Sequence, residues 1–87
     1  VQLRTAAPAR ELDIRGMETL EAIPVMERFL DSAMLAGLKE VSIIHGKGTG
    51  ALRQAVHAAL RRNRQIKGFR LGRFGEGESG VTIVEMK

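Results

Sequence analysis

The apolar positions along the chain switch between two spacings. In "ELDIRG" (11–16), Leu12 and Ile14 alternate with Glu11, Asp13 and Arg15, the period-two signature of a short strand, and Gly16 permits a turn. Over 19–36 the spacing becomes helical. Leu20, Ile23, Met26, Leu30, Ala33 and Met34 form one stripe, with Glu21, Arg28, Asp31 and Ser32 opposite. Pro24 belongs in a first helical turn, so this helix either starts late or bends early, and Gly37 is a natural stop. "VSII" (41–44) has the composition of a buried strand. A second helix is predicted from about 50 to 64, with Leu52, Val56, Ala59 and Leu60 inward and Arg53, His57, Arg61 and Arg64 on another face. "KGFRLGRF" (67–74) and "VTIVEM" (81–86) read as two more strands, joined by a mobile-looking "GEGESG" loop (75–80).

The order strand, helix, strand, helix, strand, strand implies a right-handed crossover with the first two strands parallel. The predicted fold is α/β: a two-layer sandwich of two helices on a four-stranded mixed sheet, β-α-β-α-β-β. Residues 1–10 have little pattern and a Pro at position 8, and read as an arm or linker before a domain over 11–87. The chain opens on Val1 rather than Met, which suggests a piece of a larger protein.

Composition narrows the chemistry. With 87 residues, 44% hydrophobic and 28% charged, the chain fits one globular domain. The lack of Cys excludes disulfides and thiolate metal sites and suits a reducing compartment. No apolar run approaches the ~20 residues that span a bilayer, and no signal peptide is visible. The net charge of +4 is uneven. Residues 1–44 hold five basic and seven acidic side chains, and residues 45–87 hold nine and three. A basic half suits a polyanion such as nucleic acid; a merely basic surface is the plainer alternative.

The predicted site follows from topology. Ligands bind beyond the carboxyl ends of parallel strands, where Asp13, Arg15, His45 and Lys47 would gather on one rim. In "HGKGTG" (45–50), Gly46, Gly48 and Gly50 free the backbone for close approach, the loop amides and the following helix start offer donors to an anion, Lys47 adds charge, and Thr49 can cap the helix. The spacing matches neither the Walker A loop nor the dinucleotide fingerprint. His45 can move a proton near neutrality, or can simply be a structural histidine. Asp13 can orient His45 or hold a divalent metal ion, Arg15 can grip a phosphate, and the Arg53, His57, Arg61 and Arg64 face can track a nucleic-acid backbone. Each also has a bland reading as a turn carboxylate, a surface ion pair or a solvated helix face.

"LDIRG" (Leu12–Gly16), "HGKGTG" (His45–Gly50) and the closing "GVTIVEMK" (Gly80–Lys87) together resemble the Smr, or small MutS-related, domain. The wording is most similar to the Smr domain at the C-terminus of the bacterial MutS paralogue that restrains homologous recombination. The stretch "METLEAIP" (17–24) departs from that family's usual first helix start. The resemblance implies a fold similar to the C-terminal domain of a bacterial translation initiation factor. It implies an endonuclease, acting on branched DNA or, in other members, on messenger RNA at stalled ribosomes. It also implies Asp13 and His45 as catalytic residues, Mg or Mn as the ion if one takes part, and a bacterial cytoplasmic setting near nucleoid or ribosome. A non-catalytic nucleic-acid-binding module and a protein-docking domain are the rival expectations.

Overall fold

The computed structural model describes residues 9–87. The expectation of an arm falls largely on residues outside that range. Strand β1 (Glu11–Asp13) leads into helix α1 (Thr19–Leu35), then β2 (Glu40–Ile44), α2 (Ala51–Arg61), β3 (Ile66–Leu71) and β4 (Val81–Met86). The sheet order is β1-β2-β4-β3. β1 and β2 run parallel, and β4 is antiparallel to both its neighbours. This is the predicted two-layer architecture.

Both helices cover one face of the sheet. Ala22, Met26, Leu30 and Ala33 from α1 and Val56, Ala59 and Leu60 from α2 pack with Ile14, Val41, Ile43, Val84 and Met86. Side chains alternate along each strand, so Glu11, Asp13, Ser42 and Ile44 belong to the opposite face. The β3–β4 loop folds back over that face: Gly75, Glu76 and Gly77 line a hollow with Ser42, Ile44 and Ile83.

Four local expectations need correction. Leu20 is 91% exposed, not part of the inward stripe. It lies about 200° around the helix from Ala22, and Ala22 is the residue that faces the sheet. α1 starts at Thr19 and carries Pro24 inside it. Pro24 is exposed, so the carbonyl left without a helical donor faces water. α2 stops at Arg61, because Asn63 Oδ1 accepts the Gln65 N–H at 2.7 Å and starts a turn that contains Arg64. β3 ends at Leu71. Gly72 N–H reaches the carbonyls of Glu78 and Val81, and the Glu76 N–H closes a turn on Arg73. Glu76 also accepts from the two terminal Arg70 guanidinium nitrogens and from Arg73 N–H, so the 72–80 loop is tied at several points.

Candidate active site

Three connections meet at one end of the sheet: the β1–α1 turn, the glycine loop after β2, and the β3–β4 loop. The carbonyl of Gly80, just before β4, accepts both the His45 N–H at 3.1 Å and the Gly46 N–H at 2.9 Å. That fixes the start of the glycine loop. Gly46, Gly48 and Gly50 then take φ of +82°, +34° and +88°, which explains glycine at every second position. Gly46 has a second reason: a Cβ there would come within 3.3 Å of Arg15 Cγ.

The loop turns donors outward. Among the described residues, the N–H groups of Lys47, Gly48 and Thr49 have no protein acceptor. Gly50, rather than Thr49, is the N-cap of α2, and the Thr49 hydroxyl accepts the Ala51 N–H at 3.3 Å. A cleft of about 400 Å³ opens over these donors, lined by Gly16–Thr19 and His45–Arg53. It lies between the N-termini of α1 and α2, so both helix dipoles present their positive ends to it. The Arg53 guanidinium lies over Gly50, and the Lys47 stem lies over Gly80. Such a cleft suits a phosphate group.

His45 forms the buried floor, at 5% exposure. Its Nδ1 is 2.9 Å from the Gly46 carbonyl, and its Nε2 is 2.8 Å from Thr82 Oγ1. His57 Nε2 approaches the same hydroxyl at 2.7 Å, and its ring tilts against Phe69 with centroids 4.9 Å apart. Burial pushes the His45 imidazole below its ordinary value, the Gly46 carbonyl opposes this, and the Arg53 charge adds to the lowering. His57 is lowered first by burial, then by the charges of His45, Arg61 and Arg53.

Asp13 lies elsewhere. It pairs in register with Ile44, on the sheet face away from the helices, whereas His45, one residue on, turns toward them. The expected contact between Asp13 and His45 is therefore absent, and Thr82 takes the orienting position. Asp13 instead grips Arg15: Oδ1 accepts from Nε at 3.0 Å and from the backbone N–H at 3.0 Å, and Oδ2 accepts from a terminal guanidinium nitrogen at 2.7 Å. These bonds draw its carboxyl down to about 2. Arg15 shares a second hollow with Gly46, Lys47, Gly77 and Gly80, on the far side of the 46–47 segment from the cleft.

The residues do not fit a protein-built metal centre. Among the described residues no three His, Asp or Glu side chains converge, and both Asp13 oxygens already serve Arg15. The predicted basic helix face also divides. Arg53 lines the cleft, His57 turns inward to Thr82, Arg61 sits at the helix end, and Arg64 lies in the following turn. Thr82 was not among the expected site residues. Its one signal is a polar residue at an inward position of "VTIVEM", legible only once the strand register is known.

The protonation balance gives a stability prediction. Unfolded histidines titrate near 6.5, above both folded values, so the unfolded chain binds more protons as pH falls below that point. Stability is fully present above about pH 6.5 and declines below it. Asp13 and Glu76 add a second window, present above their ordinary 3.8 and 4.5 and lost as pH falls toward about 2. The urea midpoint is expected to drop between about pH 7.5 and about pH 5, and an unchanged midpoint contradicts the assigned burial of the two imidazoles.

Among the described residues no helix is long and apolar enough to cross a membrane. The Smr domain family model matches residues 12–87. The chain is 50% identical over 86 residues to the Endonuclease MutS2 of Clostridium tetani, covering 99% of this chain and 11% of that protein. It is 56% identical over 77 residues to the Endonuclease MutS2 of Ruminiclostridium cellulolyticum, covering 88% and 10%. The chain thus spans about a tenth of the length of the curated relatives it matches. The crystal structure of the Smr domain of Thermus thermophilus MutS2 superimposes with a TM-score of 0.88 at 42% identity, covering 91% of this chain and 99% of that one. YdaL, a stand-alone small MutS-related protein from Escherichia coli, shares the fold, with a TM-score of 0.85 at 24% identity over 90% of this chain and 64% of that one. With the two sequence motifs placed at one end of the sheet and the family matched over almost the whole described chain, this protein belongs to the Smr domain family.

Proposed function

We propose that this domain is an endonuclease that nicks DNA, with branched intermediates as its targets, and that it works as part of a longer MutS-like chain in the bacterial cytoplasm. Cutting such intermediates would restrain homologous recombination. The observation that carries the reading is the row of unengaged N–H groups from Lys47 to Thr49, set between two helix N-termini above a buried histidine. A phosphodiester in the cleft accepts those hydrogen bonds while Lys47 and Arg53 offset its charge. The donors are fixed before the substrate arrives, so they stabilise the charge that grows on the phosphoryl oxygens as water attacks in line. His45 moves the proton. Arg15, held rigid by Asp13, lies across the 46–47 segment and suits a neighbouring phosphate of the same strand. Asp13 thereby acts through Arg15.

A second reading is cleavage of RNA, including messenger RNA on a stalled ribosome. On RNA the neighbouring 2′-hydroxyl can serve as the nucleophile in place of water.

Supercoiled plasmid and a structured RNA, each incubated with wild type, Lys47→Ala and Arg53→Ala, test the proposal. Wild type is expected to nick plasmid and both variants to nick more slowly. Undiminished nicking by both variants sinks the phosphate cradle. A 5′-phosphate end indicates attack by water, whereas a 2′,3′-cyclic phosphate shifts the conclusion to RNA.

A further inference from the structure

The hydroxyl of Thr82 lies between two imidazoles, and the direction of each hydrogen bond can be deduced. The Gly46 carbonyl only accepts, so His45 Nδ1 carries a proton. Burial keeps His45 neutral, so its Nε2 is bare and accepts the single hydroxyl proton of Thr82. With that proton committed, Thr82 Oγ1 can only accept from His57, so His57 Nε2 carries a proton, and burial, which favours the neutral ring, leaves its Nδ1 bare. Thr82 is fully buried and His57 is half-buried, so the chain runs from a partly open ring to the floor of the cleft. No carboxylate bonds to either ring among the described residues, and the nearby charges on α2 are Arg53 and Arg61.

We propose that His57 and Thr82 are a proton relay that lets His45 act as the proton donor of the cleavage step while both imidazoles stay neutral. This rests on the nuclease reading above. Alone, a neutral imidazole is a very weak acid, because giving up its proton leaves an imidazolate. A doubly protonated His45 is disfavoured by burial and by the arginines. The relay avoids both species. As water bonds to phosphorus and the bond to the leaving oxygen breaks, the His45 Nδ1 proton leaves its hydrogen bond to the Gly46 carbonyl and transfers from Nδ1 to that oxygen. The Thr82 proton moves to His45 Nε2, the His57 Nε2 proton moves to Thr82, and His57 Nδ1 takes a proton from solvent. The attacking water releases one proton to solvent, so the count balances. Each ring ends as its other tautomer. His57 and Thr82 touch no substrate and are positioning residues.

Two measurements on the chain test this. Nitrogen-15 NMR of the side chains is expected to show His45 protonated at Nδ1 and His57 at Nε2. The reverse tautomers overturn the relay whatever the activity. Thr82→Val keeps the shape but removes the hydroxyl. Nicking is expected to fall by about 10²-fold, the lower end of what general acid catalysis supplies, with plasmid affinity unchanged and with Thr82→Ser restoring the rate. A folded Thr82→Val that nicks at the wild-type rate overturns the proposal. A wild-type chain that cleaves neither plasmid nor RNA overturns the nuclease reading, and with it the task assigned to the relay. The tautomer pattern still decides the hydrogen-bond directions in that case.

Discussion

His45→Ala is expected to slow nicking by about 10²–10⁴-fold, the range a positioned general acid or base supplies. The loss should fall on the rate rather than on plasmid binding, because the phosphate-facing donors are backbone N–H groups of residues 47–49, Lys47 and Arg53. The substitution also strips the Thr82 hydroxyl and the Gly46 carbonyl of a partner, and an unsatisfied buried polar group costs about 1–3 kcal/mol. A second variant separates the two effects. His45→Asn places an amide nitrogen near the Nδ1 position, so it can still donate to the Gly46 carbonyl, but it cannot pass a proton on. Nicking should stay low in His45→Asn while the urea midpoint recovers part of the loss. If His45→Asn nicks like wild type, the histidine is only a prop for the glycine loop.

Leu30→Ala is expected to lower stability by about 2–5 kcal/mol, through lost burial and the void left behind. Leu30 is fully buried in α1 against the sheet. A domain of 87 residues has a total stability of about 4–13 kcal/mol on a per-residue basis, so this one change threatens folding. Leu35→Ala on the same helix is the control. Its side chain is 89% exposed, and a change within about 0.5 kcal/mol is expected. Urea unfolding followed by circular dichroism measures both. Equal effects at the two positions would mean that α1 packs by a different face.

The contrast between Leu20 and Leu30 shows what the sequence could specify. Periodicity placed two helices and four strands in the right order, since those elements depend on local spacing. It also drew Leu20 into the stripe, because a stripe read from six positions tolerates one residue that falls on another side of the helix. The two motifs were legible and do lie at one end of the sheet. Their relative orientation was not. Whether Asp13 faces His45 depends on the pairing Asp13–Ile44, and a shift of one residue would reverse it. Thr82 and His57 were hidden for a related reason. Their meeting joins β4 to α2 across 25 residues of sequence, and His45 reaches Thr82 across 37. No short-range pattern encodes such a contact. His57 was placed with the arginines because helical spacing alone cannot tell a solvated flank from one that leans under the sheet edge.

The pair of hydrogen bonds that the Gly80 carbonyl accepts, with Thr82 two residues beyond, has a consequence for the order of events during synthesis. His45 and the glycine loop leave the ribosome early. The backbone anchor and the hydroxyl that hold them emerge with the final strand of the fold, 37 residues later for Thr82. A growing chain therefore carries the motif but not the shaped cleft. Under the proposed function, the capacity to cut arrives last, when β4 slots between β2 and β3, and a chain that stalls short of that strand is harmless to nucleic acid nearby.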